Sequence, residues 1–195
     1  MAIKAILFDT EMVRAILEGR KSCTRRIVKP QQLIGMLPDK CKNGAPEKFL
    51  KEKKLMFKPY CDMTDIELIN TAYKAPYQPG DILYVRETWK KAPNGYYYYE
   101  DWQRNDIADV TKWKPSIRMP KEAARIWLKV TDVRVERLQE ISAESALAEG
   151  ADKYIHTNGG LDENMTITSF IGIWNSTIKK SDIDRYGWDA NPYVW

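Results

Sequence analysis

Gly19-Arg-Lys-Ser-Cys-Thr-Arg-Arg26 follows an amphipathic run, Thr10 to Glu18, and precedes two apolar residues. The apolar side chains of that run recur at helical spacing, and Gly19 stands where a residue able to adopt positive φ ends a helix. Before it, Ile3 to Phe8 has the pattern of a short strand, and Thr10 is a suitable helix N-cap. The sequence therefore predicts a strand, a helix and a basic turn that leads into another strand.

The turn concentrates reactive groups: four basic side chains, two hydroxyls and a thiol within eight residues. Its three arginines are Arg20, Arg25 and Arg26. Their like charge, together with burial, disfavours the charged form of Lys21. A neutral Lys21 is a base that can take the proton of Thr24 and activate its hydroxyl as a nucleophile. The alternative is a solvated cluster that complements the dipole at the helix C-terminus.

The composition predicts one domain. The chain has 195 residues, of which 44% are hydrophobic, enough for one core and too few for two full domains. Its net charge of +4 permits a nucleic-acid partner without requiring one. Three separated cysteines, Cys23, Cys41 and Cys61, indicate reduced thiols in a cytoplasmic protein. Because no long apolar run and no signal-peptide pattern occurs, we expect neither secretion nor a membrane span.

Pro30 to Ala75 is a lysine-rich stretch with little periodicity, which predicts an insertion. Two helical pieces are expected inside it, Glu47 to Lys54 and Asp62 to Ala72. The insertion is either a basic flap that contacts phosphates or a solvated excursion on the surface, and the second is the commoner arrangement.

A second group of strands is expected after this insertion. Ile82 to Val85 has the density of β-formers of a buried strand, and Arg86 and Glu87 follow it. These two charged residues either line a pocket or take part in structural salt bridges. Tyr96 to Tyr99 is a candidate base-stacking surface, although strand alternation favours core and cross-strand packing for most of these rings.

The C-terminal part predicts one long strand and two helices. Arg125 to Leu138 is the longest strand candidate. Ser142 is expected to cap a short helix, Ala143 to Glu149, which Gly150 ends. Met165 to Ile178 carries one apolar stripe, which indicates a packing face.

Several familiar sites lack the residues they need. The chain has one histidine, His156, which we expect in a loop, so a Ser-His-Asp triad and a histidine-rich metal site are excluded. Gly159-Gly160 lacks the spacing and the trailing Lys-Ser/Thr of a phosphate loop. We predict no metal and no cofactor. Cys23 is either a nucleophile with a lowered pKa or a buried structural thiol.

The pattern Gly19-x-Lys21-x-x-Thr24-x-Arg26 resembles the signature of the ASCH domain, a relative of the PUA domain. Further stretches are similar to phage and bacterial ASCH-type proteins, some of them labelled morphogenetic proteins: Tyr77 to Trp89, Met119 to Arg125, Val130 to Leu138 and Tyr186 to Pro192. The resemblance implies an α+β fold in which helices flank a PUA-like mixed β-barrel. It implies a single domain, residues 1–195, with an insertion at about 30–75.

The resemblance also implies an activity. A small bacterial member of the family is an amidohydrolase that removes the acetyl group from N4-acetylcytidine, and its lysine, threonine and glutamate correspond to Lys21, Thr24 and Glu149. We expect these three to converge in one cleft, with Arg26 as the oxyanion donor. Candidate contacts to a nucleoside or RNA are Arg20, Arg25, Arg26, Arg86 and Glu87. The competing hypotheses are a non-catalytic module that binds RNA or a modified base, and a phage accessory protein; the oligomeric state stays open.

Overall fold

The structure, a computed structural model, describes residues 1–29, 66, 67, 69, 75–103 and 112–195. The fold is mixed α+β, in agreement with that part of the expected fold class, and its described strands form one three-stranded and two two-stranded sheets. The strands are β1 (Ile3–Leu7), β2 (Ile82–Arg86), β3 (Trp89–Ala92), β4 (Gly95–Tyr98), β5 (Trp127–Lys129), β6 (Glu136–Arg137) and β7 (Tyr193–Val194). The helices are α1 (Thr10–Leu17), α2 (Tyr99–Gln103), α3 (Ala143–Ala148), α4 (Glu163–Thr177) and α5 (Ile183–Tyr186).

Among the described strands, the largest sheet has the order β1-β2-β5. β1 runs parallel to β2, with Ile3 opposite Ile82, and β5 runs antiparallel to β2. Because side chains alternate across a strand, Ile6 and Leu83 reach the same face, where they pack with Val13 of α1. This packing fixes the position of α1 on the sheet and therefore the place where the basic turn begins.

Asp9, and not the expected Thr10, caps the N-terminus of α1. Asp9 has extended backbone angles, φ −76° and ψ 174°, and its carboxylate accepts a 2.8 Å hydrogen bond from the Met12 N–H group. Thr10 is the first helical residue. The correction follows from geometry, since an N-cap residue must itself be non-helical.

The C-terminal end of α1 agrees with the prediction. Gly19 adopts a φ of 73°, the conformation that ends a helix without a Cβ penalty. Just after it, the N–H groups of Arg20 and Lys21 both donate to the Ala15 carbonyl, at 2.8 and 3.0 Å. The chain therefore folds back over the last turn of α1 and turns the Lys21 side chain inward.

The predicted long strand, Arg125 to Leu138, is two short strands, β5 and β6. Sheet pairing continues just beyond β5, where the Val130 N–H group donates to the Asp81 carbonyl at 2.9 Å. Asp132 then accepts a hydrogen bond from the Val133 N–H group, at 2.8 Å. Such local side-chain bonds compete with sheet pairing, so the chain leaves the sheet and forms a loop between β5 and β6.

The tyrosines at 96–99 are partly buried and contact other residues of the protein. β4 carries three of them and pairs antiparallel with β3. The ring contacts join Tyr96 to Trp89, Tyr97 to Trp102 and Tyr99 to Trp113, and the Tyr98 hydroxyl donates to the Ala123 carbonyl at 2.8 Å. These contacts agree with cross-strand and core packing, the alternative to base stacking.

α4 supplies the core of the C-terminal part. Phe170 and Trp174 are buried one turn apart, and they pack with Leu138, Ala146 and Val194. The predicted packing face is therefore confirmed, although the helix begins at Glu163, two residues earlier than expected.

The segment that leaves the basic turn runs beside β7. Val194 lies opposite Glu136 of β6 and also forms an isolated bridge with Ile27. The Val28 N–H group donates to the Tyr193 carbonyl at 3.0 Å. β7 therefore stands between the basic turn and β6 and brings their side chains to the same region.

Most of the predicted insertion, Pro30 to Ala75, lies outside the described residues, as does its expected helix Glu47 to Lys54. Residues 66, 67 and 69, inside the expected helix Asp62 to Ala72, are helical, and Ile69 packs with Val28. Within the described ranges, none of the helices combines the length and the apolar character that crossing a bilayer requires.

Candidate functional site

A cavity of about 540 Å³ opens beside the basic turn. Its walls come from the turn, from β1, β2 and β5, and from the loop between β5 and β6. Three aromatic side chains contribute to the lining, Phe8, Tyr77 and Trp195. Polar side chains, among them Lys21 and Thr24, also line it. This mixture of apolar walls and a few polar groups is typical of a small-molecule site.

Lys21 is the most deeply placed cation of this wall, with a side chain that is 2% exposed. Its Nζ atom donates three hydrogen bonds: to Glu149 Oε2 at 2.7 Å, to the Glu149 carbonyl at 2.7 Å and to the Cys23 carbonyl at 2.9 Å. An ammonium has three N–H groups, and each has an acceptor here. Lys21 and Glu149 therefore form a buried, fully hydrogen-bonded ion pair.

Backbone bonds hold the turn against the C-terminal end of α3. The N–H groups of Ser22 and Cys23 both donate to the Ala148 carbonyl, at 2.8 and 3.0 Å. Ser142 caps the other end of α3, as predicted, by accepting a bond from the Ser145 N–H group at 3.2 Å. The turn thus satisfies a carbonyl that the helix end would otherwise leave without a partner.

Gly150 makes this close approach feasible. It has a φ of 97°, and a Cβ atom at this position would lie 3.2 Å from Ala15 Cβ and 3.7 Å from Lys21 Cβ. The positive φ therefore favours glycine at this position, and a side chain would also crowd Ala15.

The ion pair continues into a chain of alternating charges. Arg25 donates from Nη1 to Glu149 Oε1 at 3.3 Å and from Nε to Glu136 Oε1 at 2.7 Å. The other oxygen of Glu136, Oε2, lies 3.0 Å from Arg134 Nε. The chain begins at the buried Lys21 and ends at Arg134, whose side chain is 67% exposed. Each buried charge therefore has at least one partner of opposite sign.

The structure brings Lys21 and Glu149 into direct contact, and Thr24 lines the same cavity as Lys21. It also corrects one premise of the expected neutral Lys21, namely that the charges of Arg20 and Arg25 are uncompensated. Arg20 is paired with Glu18 and Arg25 with two carboxylates, so their charges are compensated. Three oxygens surround Lys21 Nζ, the arrangement that suits an ammonium.

Arg20 and Arg26 differ in their relation to the cavity. Arg20 is half-exposed and outside the lining, with Nε 2.8 Å from Glu18 Oε2. Arg26 lines the cavity, where Nη2 donates to the Leu7 carbonyl at 3.0 Å and the guanidinium lies 5.5 Å from the centre of the Phe8 ring. Arg26 is thus the better placed of the two to contact a ligand.

Arg86 and Glu87 are not among the residues that line this cavity. Both oxygens of Glu87 accept bonds from Arg125, at 2.9 Å each, and Arg86 Nη1 donates to the Ile117 carbonyl at 3.2 Å. Burial raises the pKa of the Glu87 carboxyl, and the neighbouring Arg125 acts in the opposite direction. These contacts correspond to the salt-bridge alternative for Glu87 rather than to pocket lining.

Cys23 does not have the lowered pKa of an activated nucleophile. Although the residue is accessible to solvent, its Sγ atom lies 3.8 Å from the Ser145 carbonyl. Burial of the thiol and the nearby charge of Glu149 raise its pKa, against the influence of Arg25 and Lys21. Both sequence interpretations of Cys23 therefore need correction, because the residue is neither activated nor fully buried.

Glu136 is a candidate site residue that the sequence reasoning missed. It lies in β6, lines the cavity and has a side chain that is 16% exposed. The one available signal was its position between the apolar residues Val135 and Leu138, both of which are buried. Glu149, by contrast, is not among the lining residues and lies behind Lys21 and Arg25.

Within the ranges that the structure describes, no three His, Cys, Asp or Glu side chains are grouped as metal ligands. In comparisons with known proteins, no protein-family model, no curated protein and no solved structure matches the chain. The ASCH resemblance thus depends on the motifs quoted above.

Proposed function

We propose that the protein is an amidohydrolase that acts on an N-acylated nucleoside, such as N4-acetylcytidine, and that its α+β fold is of the PUA-like ASCH type. The observation that carries the proposal is the buried Lys21–Glu149 pair, whose lysine lines the same cavity as Thr24. A lysine, a hydroxyl and a carboxyl group are the parts that nucleophilic hydrolysis of an amide requires.

The cavity suits a substrate of this size. Its volume of about 540 Å³ lies within the usual range of small-molecule pockets. Phe8, Tyr77 and Trp195 supply aromatic surface that suits a flat heterocycle. Such a base would have its acylated amine directed to the polar wall, where Lys21 and Thr24 lie.

In the first half of the reaction, a proton passes from Lys21 to Glu149, and Lys21 then takes a proton from Thr24. Lys21 Nζ passes a proton to Glu149 Oε2 across their 2.7 Å hydrogen bond, which leaves a neutral amine and a neutral acid. The amine takes the proton of Thr24 as its hydroxyl oxygen attacks the acyl carbonyl. Lys21, again an ammonium, then gives that proton to the departing nucleoside amine, and the acyl group stays on Thr24.

In the second half, water releases the acyl group. The neutral Lys21 takes a proton from the attacking water, and returns it to the Thr24 oxygen as the acyl–oxygen bond breaks. The proton held on Glu149 then passes back to Lys21 and restores the ion pair. Glu149 thus acts as a proton store behind Lys21, and not as the direct donor to the leaving group that the resemblance implied, because it lies behind the lining residues.

Arg26 is the candidate oxyanion donor in both halves. Its guanidinium is held in the cavity wall by the Leu7 carbonyl and the Phe8 ring. A donor that is already in place when negative charge develops lowers the barrier by roughly 3 kcal/mol.

One observation favours a second function, a non-catalytic module that binds RNA or a modified base. All three N–H groups of Lys21 have acceptors in the resting structure, and Arg25 has two carboxylate partners. A wall with this degree of internal pairing can hold a ligand without reacting with it.

Incubation with N4-acetylcytidine tests the two functions. The amidohydrolase releases cytidine, measured by liquid chromatography, and Lys21→Ala abolishes the release. A folded wild-type protein that releases no cytidine, but binds RNA with an affinity that falls steeply with salt, supports the binding module and contradicts the enzyme.

A further inference from the structure

Arg25 and Glu136 extend the Lys21–Glu149 pair in a way that the catalytic scheme does not use. The Arg25 side chain is 6% exposed and contacts both carboxylates, whereas Glu136 is 16% exposed and lines the cavity. Sequence reasoning placed Arg25 among the residues that bind substrate or RNA. Its burial and its two partners indicate a different role.

The two oxygens of Glu149 are held by different cations. Lys21 Nζ contacts Oε2 at 2.7 Å, and Arg25 Nη1 contacts Oε1 at 3.3 Å. The terminal torsion of a glutamate is otherwise soft, since its sp³–sp² bond has a broad energy profile. Two donors on opposite oxygens fix that torsion and keep one oxygen turned toward Lys21.

Arg25 lies closer to Glu136 than to Glu149. The Arg25 Nε bond to Glu136 Oε1 is 2.7 Å, shorter than the 3.3 Å contact of Nη1 with Glu149. Arg25 is thus bound chiefly by Glu136 and reaches Glu149 with a weaker contact.

Glu136 also neutralises a second buried cation. Without it, Lys21 and Arg25 would share one carboxylate, and Arg25 would compete with Lys21 for both oxygens. β6 supplies the carboxylate at this point because its residue Glu136 pairs with Val194 of β7, beside the segment that leaves the turn.

We propose that Arg25, held by Glu136, is a positioning residue that orients the Glu149 carboxylate toward Lys21. The inference rests on the proposed amidohydrolase function for its catalytic consequence, but the orientation itself is a property of the resting protein. The two parts are therefore measured separately.

The first measurement needs no turnover. The ζ-ammonium signal of Lys21 in a ¹H–¹⁵N NMR spectrum, assigned by its loss in Lys21→Arg, reports the hydrogen bonds of this group. We expect the signal to shift or to broaden beyond detection in Arg25→Gln and in Glu136→Gln. In the matched control Arg118→Gln, an exposed arginine outside the cavity lining, it stays at the wild-type position.

Glu136→Gln keeps the shape of the side chain and removes only its charge. It therefore tests the proposal even if Arg25→Gln fails to fold. Arg25→Lys keeps the charge and loses the planar fork that spans two carboxylates, and we expect an intermediate shift. A folded Glu136→Gln protein with a wild-type Lys21 signal overturns the proposal.

The second measurement is the steady-state kinetics of cytidine release. We expect Arg25→Gln and Glu136→Gln to lower kcat on the order of 10-fold with KM within about twofold, because a misplaced proton acceptor slows chemistry more than binding. An unchanged kcat in both folded variants overturns the catalytic role of the orientation. If the wild-type protein releases no cytidine, the proposed function fails, and the NMR result alone decides the orientation of Glu149.

Discussion

Two charge clusters in this protein each contain a buried glutamate and differ in what surrounds it. The first joins Lys21, Glu149, Arg25 and Glu136 beside the cavity. In the second, which lies away from the cavity lining, Arg125 contacts Glu87 at 2.9 Å and Asp101 at 2.7 Å. Buried charge by itself therefore does not distinguish a reactive site from a structural one.

The difference lies in how each carboxylate is held. One cation, Arg125, binds both oxygens of Glu87, and its guanidinium lies 4.0 Å from the centre of the Tyr98 ring. Two different cations bind the oxygens of Glu149, and one of them, Lys21, lines the cavity with Thr24. In the proposed function, a proton moves within the Lys21–Glu149 pair and reaches a ligand, whereas the Arg125 cluster only joins elements together.

The largest expected effect comes from matched substitutions in the two clusters. Glu149→Gln removes the acceptor that stores the Lys21 proton and is expected to lower kcat about 10³-fold, within the usual range for acid–base groups. Glu87→Gln, an equally conservative change at a buried carboxylate, is expected to leave kcat unchanged. Cytidine release by both folded variants measures the contrast, and equal losses of kcat would remove the distinction between the clusters.

The next effect concerns stability, and it is expected in the Arg125 cluster and not in the cluster beside the cavity. Arg125→Ala leaves the Glu87 carboxylate, with a side chain that is 3% exposed, without its bidentate partner. Breaking a buried pair in this way costs about 3 kcal/mol of unfolding free energy. Urea unfolding measures it, with the exposed Arg118→Ala as the control. A loss below 1 kcal/mol would show that this cluster is not structural.

A smaller effect tests the contact between α3 and the basic turn. Gly150→Ala is expected to lower the unfolding free energy by about 2 kcal/mol, because the left-handed conformation and the 3.2 Å approach to Ala15 both oppose a Cβ atom. Gly159 has a similar φ, 85°, but a Cβ atom added there would meet nothing within 4 Å. For Gly159→Ala we therefore expect only the conformational cost of about 1 kcal/mol.

The same two glycine variants are also expected to differ in kcat. Since a Cβ atom added at position 150 would lie 3.7 Å from Lys21 Cβ, Gly150→Ala is expected to lower kcat severalfold while Gly159→Ala leaves it unchanged. Equal stability and equal kcat in both variants would show that the close approach at Gly150 has no influence on the site.

The smallest effect is a pH dependence outside both clusters. A hydrogen bond from Lys4 to Asp81, supported by the Ala2 N–H group, lowers the pKa of the Asp81 carboxyl from 3.8 to about 2. Because the folded-state pKa is depressed, the contribution to stability is complete above about pH 4 and is lost as the pH falls toward 2. Asp81→Asn should flatten that part of the stability curve. An unchanged slope in the variant would contradict the assignment.

The sequence predicted the parts of the site that follow local rules. A helix end at Gly19 and a capped helix after Ser142 depend on neighbouring residues and on φ, and both are present. The contact of Lys21 with Glu149 crosses 128 positions, and it was expected because of the family resemblance, not because of any local pattern.

Other parts depend on tertiary packing, which no local rule supplies. The bond from Arg25 to Glu136 joins residues 111 positions apart and exists because β7 lies between the turn and β6. The split of Arg125 to Leu138 into two strands depends on a side-chain bond of Asp132 that competes with the sheet. The carboxylates that pair with Arg20 and Arg25 were not foreseen for the same reason.

Detection of an acetyl group on Thr24 is the most direct test of the central claim, which is that the Lys21–Glu149 pair activates this hydroxyl. N4-acetylcytidine is mixed with the wild-type protein, the reaction is stopped within one turnover, and the peptides are analysed by mass spectrometry. The account predicts an acetyl group on Thr24 together with release of cytidine, and loss of both in Thr24→Val. Release of cytidine at the wild-type rate by Thr24→Val, with no acetylated peptide, would contradict it.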